Sequence, residues 1–147
     1  MKKILILLIM FAFSSNAHGF EPVRILKKNQ TKYHTLYGYN AEGKAKVYSQ
    51  KFHNRKTASG MRFSQYAHTA ASVKLPLMSI VKVTNTKNGK SIFVLINDRG
   101  PYKTNAILDL SKASAKKINL HSNDKIVIEF DLERTLQLFN KPIPKFT

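Results

Sequence analysis

The sequence predicts a mostly β single domain, and three observations carry that prediction. Residues 79–84 and 91–96 are β-branched runs flanking a loop that contains Asn88-Gly89, a pair that tolerates the positive φ of a hairpin turn. The second run is apolar throughout, so it should be covered on both faces, as inside a small barrel or sandwich. One short stretch, 112–119, has the pattern of a helix, which leaves strands as the main scaffold.

Taken in chain order, Met1-Lys2-Lys3, the apolar run 4–13 and Ser14-Ser15-Asn16-Ala17-His18-Gly19 have the basic, apolar and small-residue regions of a secretory signal. Ser15-x-Ala17 and Ala17-x-Gly19 compete as cleavage sites, giving a leader over 1–19. The run is too short to span a bilayer as a helix, although an uncleaved anchor is the alternative. The chain has no cysteine. It has neither disulfides nor a thiol to acylate, so export implies a soluble periplasmic or otherwise exported protein and not a lipoprotein.

Residues 20–42 are polar, with Tyr33, Leu36, Tyr37 and Tyr39 scattered without a sustained period, and read as an arm packed loosely on the domain. Residues 43–48 alternate small or apolar with polar side chains and read as a half-buried strand. After the hairpin the chain turns at 98–101 and runs briefly extended over 106–108. Ser111 is a good helix N-cap, and Lys116 and Lys117 suit the end of the helix that follows. Residues 125–130 form a last alternating strand. The tail, 131–147, holds Pro142 and Pro144 and is expected to leave the core.

The 147 residues carry 25 Lys and Arg against 8 Asp and Glu, a formal charge of +17. Such an excess draws anionic partners by long-range attraction that salt weakens. In a cytosolic chain nucleic acid would come first. Export redirects the expectation to cell-wall polymers and anionic head groups and away from nucleic acid. A merely solvated basic surface is the alternative.

Three polar, glycine-punctuated blocks lie between the apolar runs, where binding and catalytic groups tend to sit. They are Phe52-His53-Asn54-Arg55-Lys56-Thr57-Ala58-Ser59-Gly60, Asn97-Asp98-Arg99-Gly100-Pro101-Tyr102 and Ile107-Leu108-Asp109-Leu110-Ser111. Together with Gly43-x-Ala45, Tyr48, Phe63, Thr69-Ala70-Ala71, Leu75-Pro76, Val81-x-Val83-Thr84-Asn85 and Asn88-Gly89, they make the chain resemble the rare lipoprotein A (RlpA) family over about residues 43–130. The resemblance implies a six-stranded double-psi β-barrel with one or two short helices, related to expansins and barwin. It also implies an endolytic peptidoglycan transglycosylase, a lyase that cleaves between N-acetylmuramic acid and N-acetylglucosamine and leaves a 1,6-anhydro end. A catalytically degenerate peptidoglycan-binding or structural wall protein is the alternative.

Such a reaction needs an acid for the leaving oxygen and groups that stabilise an oxocarbenium-like centre. The sugar's own C6 hydroxyl then attacks. One ionisable group can serve both steps, and no metal or cofactor is required. The family uses a Glu after the Thr-Ala-Ser-Gly block, a His after Thr-Ala-Ala, and the Asp of Asn-Asp-Arg-Gly-Pro. Here those positions hold Met61, Ser72 and Asp98.

Asp98 is therefore the expected catalytic residue, with capping of the turn amides of Arg99 and Gly100 as its structural alternative. Asp109 is read as a partner for Arg99 or a helix-entry cap. His53 and His68 are read as surface histidines, either of which can in principle supply an imidazole. Arg55, Lys56, Thr57, Ser59, Asn97, Arg99 and Tyr102 are the expected substrate contacts, the arginines suiting the lactyl carboxylates of muramic acid. Tyr48 and Phe63 can present ring faces to sugars or pack in the core. The expected partner is the peptidoglycan glycan strand, bound by a monomer with no stable membrane insertion after signal cleavage.

Overall fold

The computed structural model describes residues 21–138, so the leader expected over 1–19 and the end of the tail lie outside the described residues. Six strands close into a barrel: β1 (Asn40–Val47), β2 (Thr69–Ala71), β3 (Ile80–Asn85), β4 (Ser91–Asp98), β5 (Ala106–Leu110) and β6 (Lys125–Phe130). Their order around the barrel is β1-β5-β2-β4-β3-β6. β1 runs parallel to β5 and β2 parallel to β4, and the other pairs are antiparallel. Closure pairs every strand on both sides and leaves no open sheet edge.

The strands follow from their residues. In β3, Val81, Val83 and Asn85 are buried and alternate with more accessible positions, the period-2 signature of one covered face. β6 does the same with Ile126, Ile128 and Phe130. β3 and β4 form the expected hairpin, with Val81 opposite Val94 and Thr84 opposite Ser91. Its turn is closed by the Gly89 amide donating to the Asn85 carbonyl at 2.9 Å, and Gly89 has φ +70°, which a residue without Cβ adopts at no steric cost. Residues 94–97 of β4 are all buried, so the expectation of cover on both faces holds for 94–96, while Ser91 and Phe93 at the start of the run are exposed and Ile92 is partly buried. One side faces the barrel interior, and α2 (Lys112–Lys117) lies against the strand.

Helix α2 starts where expected: the Ser111 hydroxyl accepts from the Ser114 amide at 3.2 Å. It ends before Ile118, and Asn119 takes a left-handed φ of +48°. The buried Asn85 side chain then donates to the carbonyls of Ile118 and Asn119, at 3.0 and 3.1 Å, fastening hairpin to helix.

Two segments differ from expectation. Residues read as a loose arm form helix α1 (Glu21–Thr35), and Asn40 to Glu42 belong to β1. Leu26 and Tyr33 stand seven apart on one face and are 2% and 0% exposed. Two anchors on an otherwise polar helix make too thin a stripe to register as a period. The tail also returns to the barrel, as α3 (Leu132–Gln137). Asp131 caps α3 by accepting from the Arg134 amide at 2.8 Å, and the buried Thr135 hydroxyl accepts from the Ile80 amide at 2.9 Å. The barrel thus has three short α-helices where one or two were expected.

Candidate active site

The site is set by a break in register at the end of β4. Ala70 pairs with Ile96 but Ala71 pairs with Asp98, so Asn97 is an extra residue on β4. Ile96 is wholly buried in the core, and in an unbroken strand Asp98 would share its inward parity. The bulge re-aims Asp98 to the outer face, a common use of bulges beside functional sites. There it joins a row that crosses four strands. Asp98 on β4 pairs with Ala71 on β2, Ala71 with Asp109 on β5, and Asp109 with Lys46 on β1. Leu108 and Leu110, on either side of Asp109, are wholly buried in the core, which fixes Asp109 on the outer face.

Asp98 is tightly held. Its Oδ2 accepts from the Tyr48 hydroxyl at 2.7 Å, and its Oδ1 accepts from the amides of Ala58 and Arg99, both at 2.9 Å. The first polar block is thereby tied to the second. The third joins through Gly100, whose φ is +132° and where a Cβ would stand 3.6 Å from Asp109 Oδ2. The three sequence blocks do converge on one place. Burial and the acceptor Asp98 push the Tyr48 hydroxyl far above its ordinary ionisation range, so it remains a donor. Tyr48 is fixed in turn by Phe63 at 4.5 Å between ring centroids and Phe52 edge-on at 5.7 Å.

Asp109 is half-buried, and its carboxylate makes no hydrogen bond among the described residues. Burial raises its pKa; Lys46 opposes that shift and Asp98 adds to it. Neither structural role expected for it is filled. The helix is capped by Ser111, and Arg99 Nη1 donates to the carbonyls of Ser72 at 2.8 Å and Leu75 at 2.6 Å.

Of the expected substrate contacts, four have their polar groups turned inward. Thr57 and Ser59 are 6% and 0% exposed, with their hydroxyls 3.0 Å apart and Thr57 Oγ1 donating to the Met61 carbonyl at 2.9 Å. This closes the Thr-Ala-Ser-Gly turn from within. Asn97 is 1% exposed because it is the bulge residue, and its side-chain amide has no partner among the described residues. Arg99 braces the loop after β2. Arg55, Lys56 and Tyr102 are exposed, and the Arg55 guanidinium lies 5.5 Å from the Phe52 ring centre.

Met61 and Ser72, at the positions of the family's Glu and His, are 7% and 2% exposed. Ser72 Oγ accepts from the amides of Lys74 and Leu75, at 3.2 and 3.1 Å, so it shapes a turn. His53 does not fill the gap: its Nδ1 accepts from the Gln65 amide at 3.3 Å, and its ring packs edge-on to the exposed Tyr66. His68 precedes β2, three residues and about 10 Å of strand from the Asp98–Ala71 row. No group of His, Asp and Glu among the described residues is arranged to hold a metal. A concavity of about 420 Å³ beside Phe93, Lys82, Glu129 and Leu132 is lined by none of the expected site residues.

Fold and site together define a double-psi β-barrel that carries paired carboxylates on its outer face. The chain belongs to the lytic transglycolase family, whose sequence profile matches residues 40–130, in agreement with the resemblance carried by the motifs. It is similar to the endolytic peptidoglycan transglycosylase RlpA of Neisseria meningitidis serogroup A, 45% identical over 95 residues that cover 65% of this chain and 40% of that protein. The protein of the same name from Vibrio cholerae is 43% identical over 108 residues, covering 74% of this chain and 41% of that one. The chain thus spans about two fifths of the length of these relatives. Among solved structures it is similar to a Streptomyces papain inhibitor, with a TM-score of 0.49 and 22% identity over 63% of this chain and 94% of that one.

Proposed function

We propose that this protein is an exported peptidoglycan lytic transglycosylase that cleaves between N-acetylmuramic acid and N-acetylglucosamine and closes a 1,6-anhydro ring. The observation that carries the reading is Asp98: a bulge turns it outward, three donors fix it, and a second carboxylate shares its row. Relatives at 43–45% identity bear the name of that activity. Asp98 supplies a fixed negative charge where the cleaved sugar develops positive character, and such preorganised electrostatics lower the barrier without reorganisation during the reaction. Arg55, Lys56 and Tyr102 contact the glycan from the exposed rim. Thr57, Ser59, Asn97 and Arg99 act on substrate only by holding the loops that frame Asp98.

A location outside the cytoplasm is supported by the peptidoglycan-acting relatives and by the leader expected over 1–19. No helix among the described residues is long and apolar enough to cross a membrane. A monomer is supported by barrel closure, which leaves no strand edge for a partner to extend.

Met61 and Ser72 favour a second reading, a wall-binding protein that has lost turnover, because neither side chain can replace a carboxyl or an imidazole in proton transfer. The mature protein, incubated with glycan strands stripped of stem peptides, distinguishes the two. Anhydro-muramyl ends detected by mass spectrometry, and lost in Asp98→Asn, support the enzyme. Retention on the strands without new ends supports the binder, and a hydrolysed product without the anhydro mass excludes both.

A further inference from the structure

We propose that Asp109 is the proton-carrying group of this chain's cleavage reaction, and that Asp98 stays a carboxylate throughout. The inference rests on the transglycosylase reading and assigns the two carboxylates different tasks. Asp98 already accepts three hydrogen bonds, from the Tyr48 hydroxyl and the amides of Ala58 and Arg99. A proton placed on it would remove the charge that strengthens all three of those bonds. Asp109 has no such ties among the described residues, so its carboxyl can turn to a substrate oxygen. The family's Glu and His positions are occupied by Met61 and Ser72, which leaves Asp109 as the carboxyl beside Asp98 that can shuttle a proton.

The geometry fits the task. Asp98 and Asp109 flank Ala71 in one row, so their Cα atoms are two strand spacings apart, about 9.5 Å. Ala71 is small and wholly buried beneath them, and Gly100 keeps a side chain from standing over Asp109 Oδ2. The charged and titratable groups around Asp109 are Asp98 on β4, Lys46 on β1 and Tyr48 just after β1, with Tyr102 in the loop after β4 acting in turn on Tyr48. Lys46 is the cation among them. The unpaired, half-buried carboxyl beside a second carboxylate keeps its proton more readily than a free Asp does, because burial and Asp98 both disfavour its charged form.

The step balances without water. The Asp109 carboxyl gives its proton to the glycosidic oxygen, and the bond from C1 of muramic acid to that oxygen breaks with the electron pair leaving on the oxygen. The C6 hydroxyl oxygen of the same sugar bonds to C1. Its proton passes to the Asp109 carboxylate and restores the starting state, while Asp98 stabilises the positive charge in between.

The test compares anhydro-end formation by the mature wild type, Asp109→Asn, Asp109→Glu and Lys46→Gln across pH. Asp109→Asn should lose about a hundredfold or more in rate, and Asp109→Glu should recover part of it. In Lys46→Gln the alkaline limb of the rate profile should move to higher pH, because the cation that favours ionised Asp109 is gone; a purely structural Asp109 would leave that limb in place. A wild-type rate in Asp109→Asn, or an alkaline limb indifferent to Lys46, overturns the assignment and leaves the transglycosylase reading standing. A wild type that forms no anhydro ends overturns both. Carboxyl carbon NMR of the wild type and Asp98→Asn gives a reading independent of turnover: the Asp109 midpoint should lie above the ordinary range and fall when Asp98 is neutralised. A midpoint at or below that range rejects the assignment.

Discussion

Asp98 and Asp109 show how neighbours give one residue type two characters. The Tyr48 hydroxyl is one of three donors on Asp98, and a hydrogen bond to a charged group contributes about 1.5–3 kcal/mol. Tyr48→Phe keeps the stacking on Phe63 and should lower turnover by about tenfold or more with little change in KM, measured as anhydro ends released per enzyme. Asp109 offers a stability measurement. Its folded pKa is raised, so its contribution to stability is full below the ordinary carboxylate pKa and is lost as pH rises through the folded value. Above that value the ionised group therefore opposes folding. Asp109→Asn should melt at a higher temperature than the wild type in alkaline buffer, and the gap should shrink as pH falls through the raised folded value and close below the ordinary Asp range. A lower melting temperature in alkaline buffer would contradict the burial argument. The motif containing Asp98 was legible in the sequence. The partner Tyr48 was not, because the two lie fifty positions apart and only the pairing of β1 with β5, continued by the Tyr48 amide donating to the Leu110 carbonyl, brings Tyr48 alongside the row.

Among the elements, α1 does more than fill surface. The Tyr33 hydroxyl donates to the Leu77 carbonyl at 2.6 Å, and Asn29 Nδ2 reaches the same oxygen at 3.4 Å. That carbonyl sits in the segment after β2 whose Ser72 and Leu75 carbonyls Arg99 grips, so the helix buttresses the segment bound to the residue following Asp98. Leu26→Ala removes a buried anchor and should cost about 3 kcal/mol in denaturant unfolding. Tyr33→Phe keeps the ring and should cost about 1 kcal/mol. Burial pushes the Tyr33 hydroxyl up to about 12 from 10.0. Its contribution is therefore complete below pH 10 and disappears as pH rises towards 12, so the difference between Tyr33→Phe and the wild type should narrow over that window. A gap that stayed constant to pH 12 would mean that Tyr33 does not ionise with unfolding. The helix escaped the sequence reading because Leu26 and Tyr33 are only two anchors. Their value comes from the barrel surface they meet, which a local window does not contain. The hairpin was legible for the opposite reason, since β-branched runs around Asn88-Gly89 encode strand, turn and partner within one short stretch.

At the scale of the molecule, the whole chain carries 25 basic side chains against 8 acidic ones, an excess that remains after the two lysines of the expected leader are removed and that attracts polyanions over the about 8–10 Å that salt leaves unscreened. Co-sedimentation with purified peptidoglycan should fall steeply as salt is raised through the physiological range, and more steeply for wall bearing anionic polymers. Retention indifferent to salt would assign binding to the site and not to the net charge. By itself the sequence determined the β class, the hairpin, the capped helix and the identity of the family, because each rests on neighbouring residues whose side chains, turns and caps act locally. Only the tertiary structure decided that Asp98 faces outward, that Asp109 stands beside it, and that Thr57, Ser59 and Asn97 look inward. Those facts depend on one extra residue in β4 and on strands paired across distant parts of the chain, and a one-residue change of register sends every later side chain to the other face.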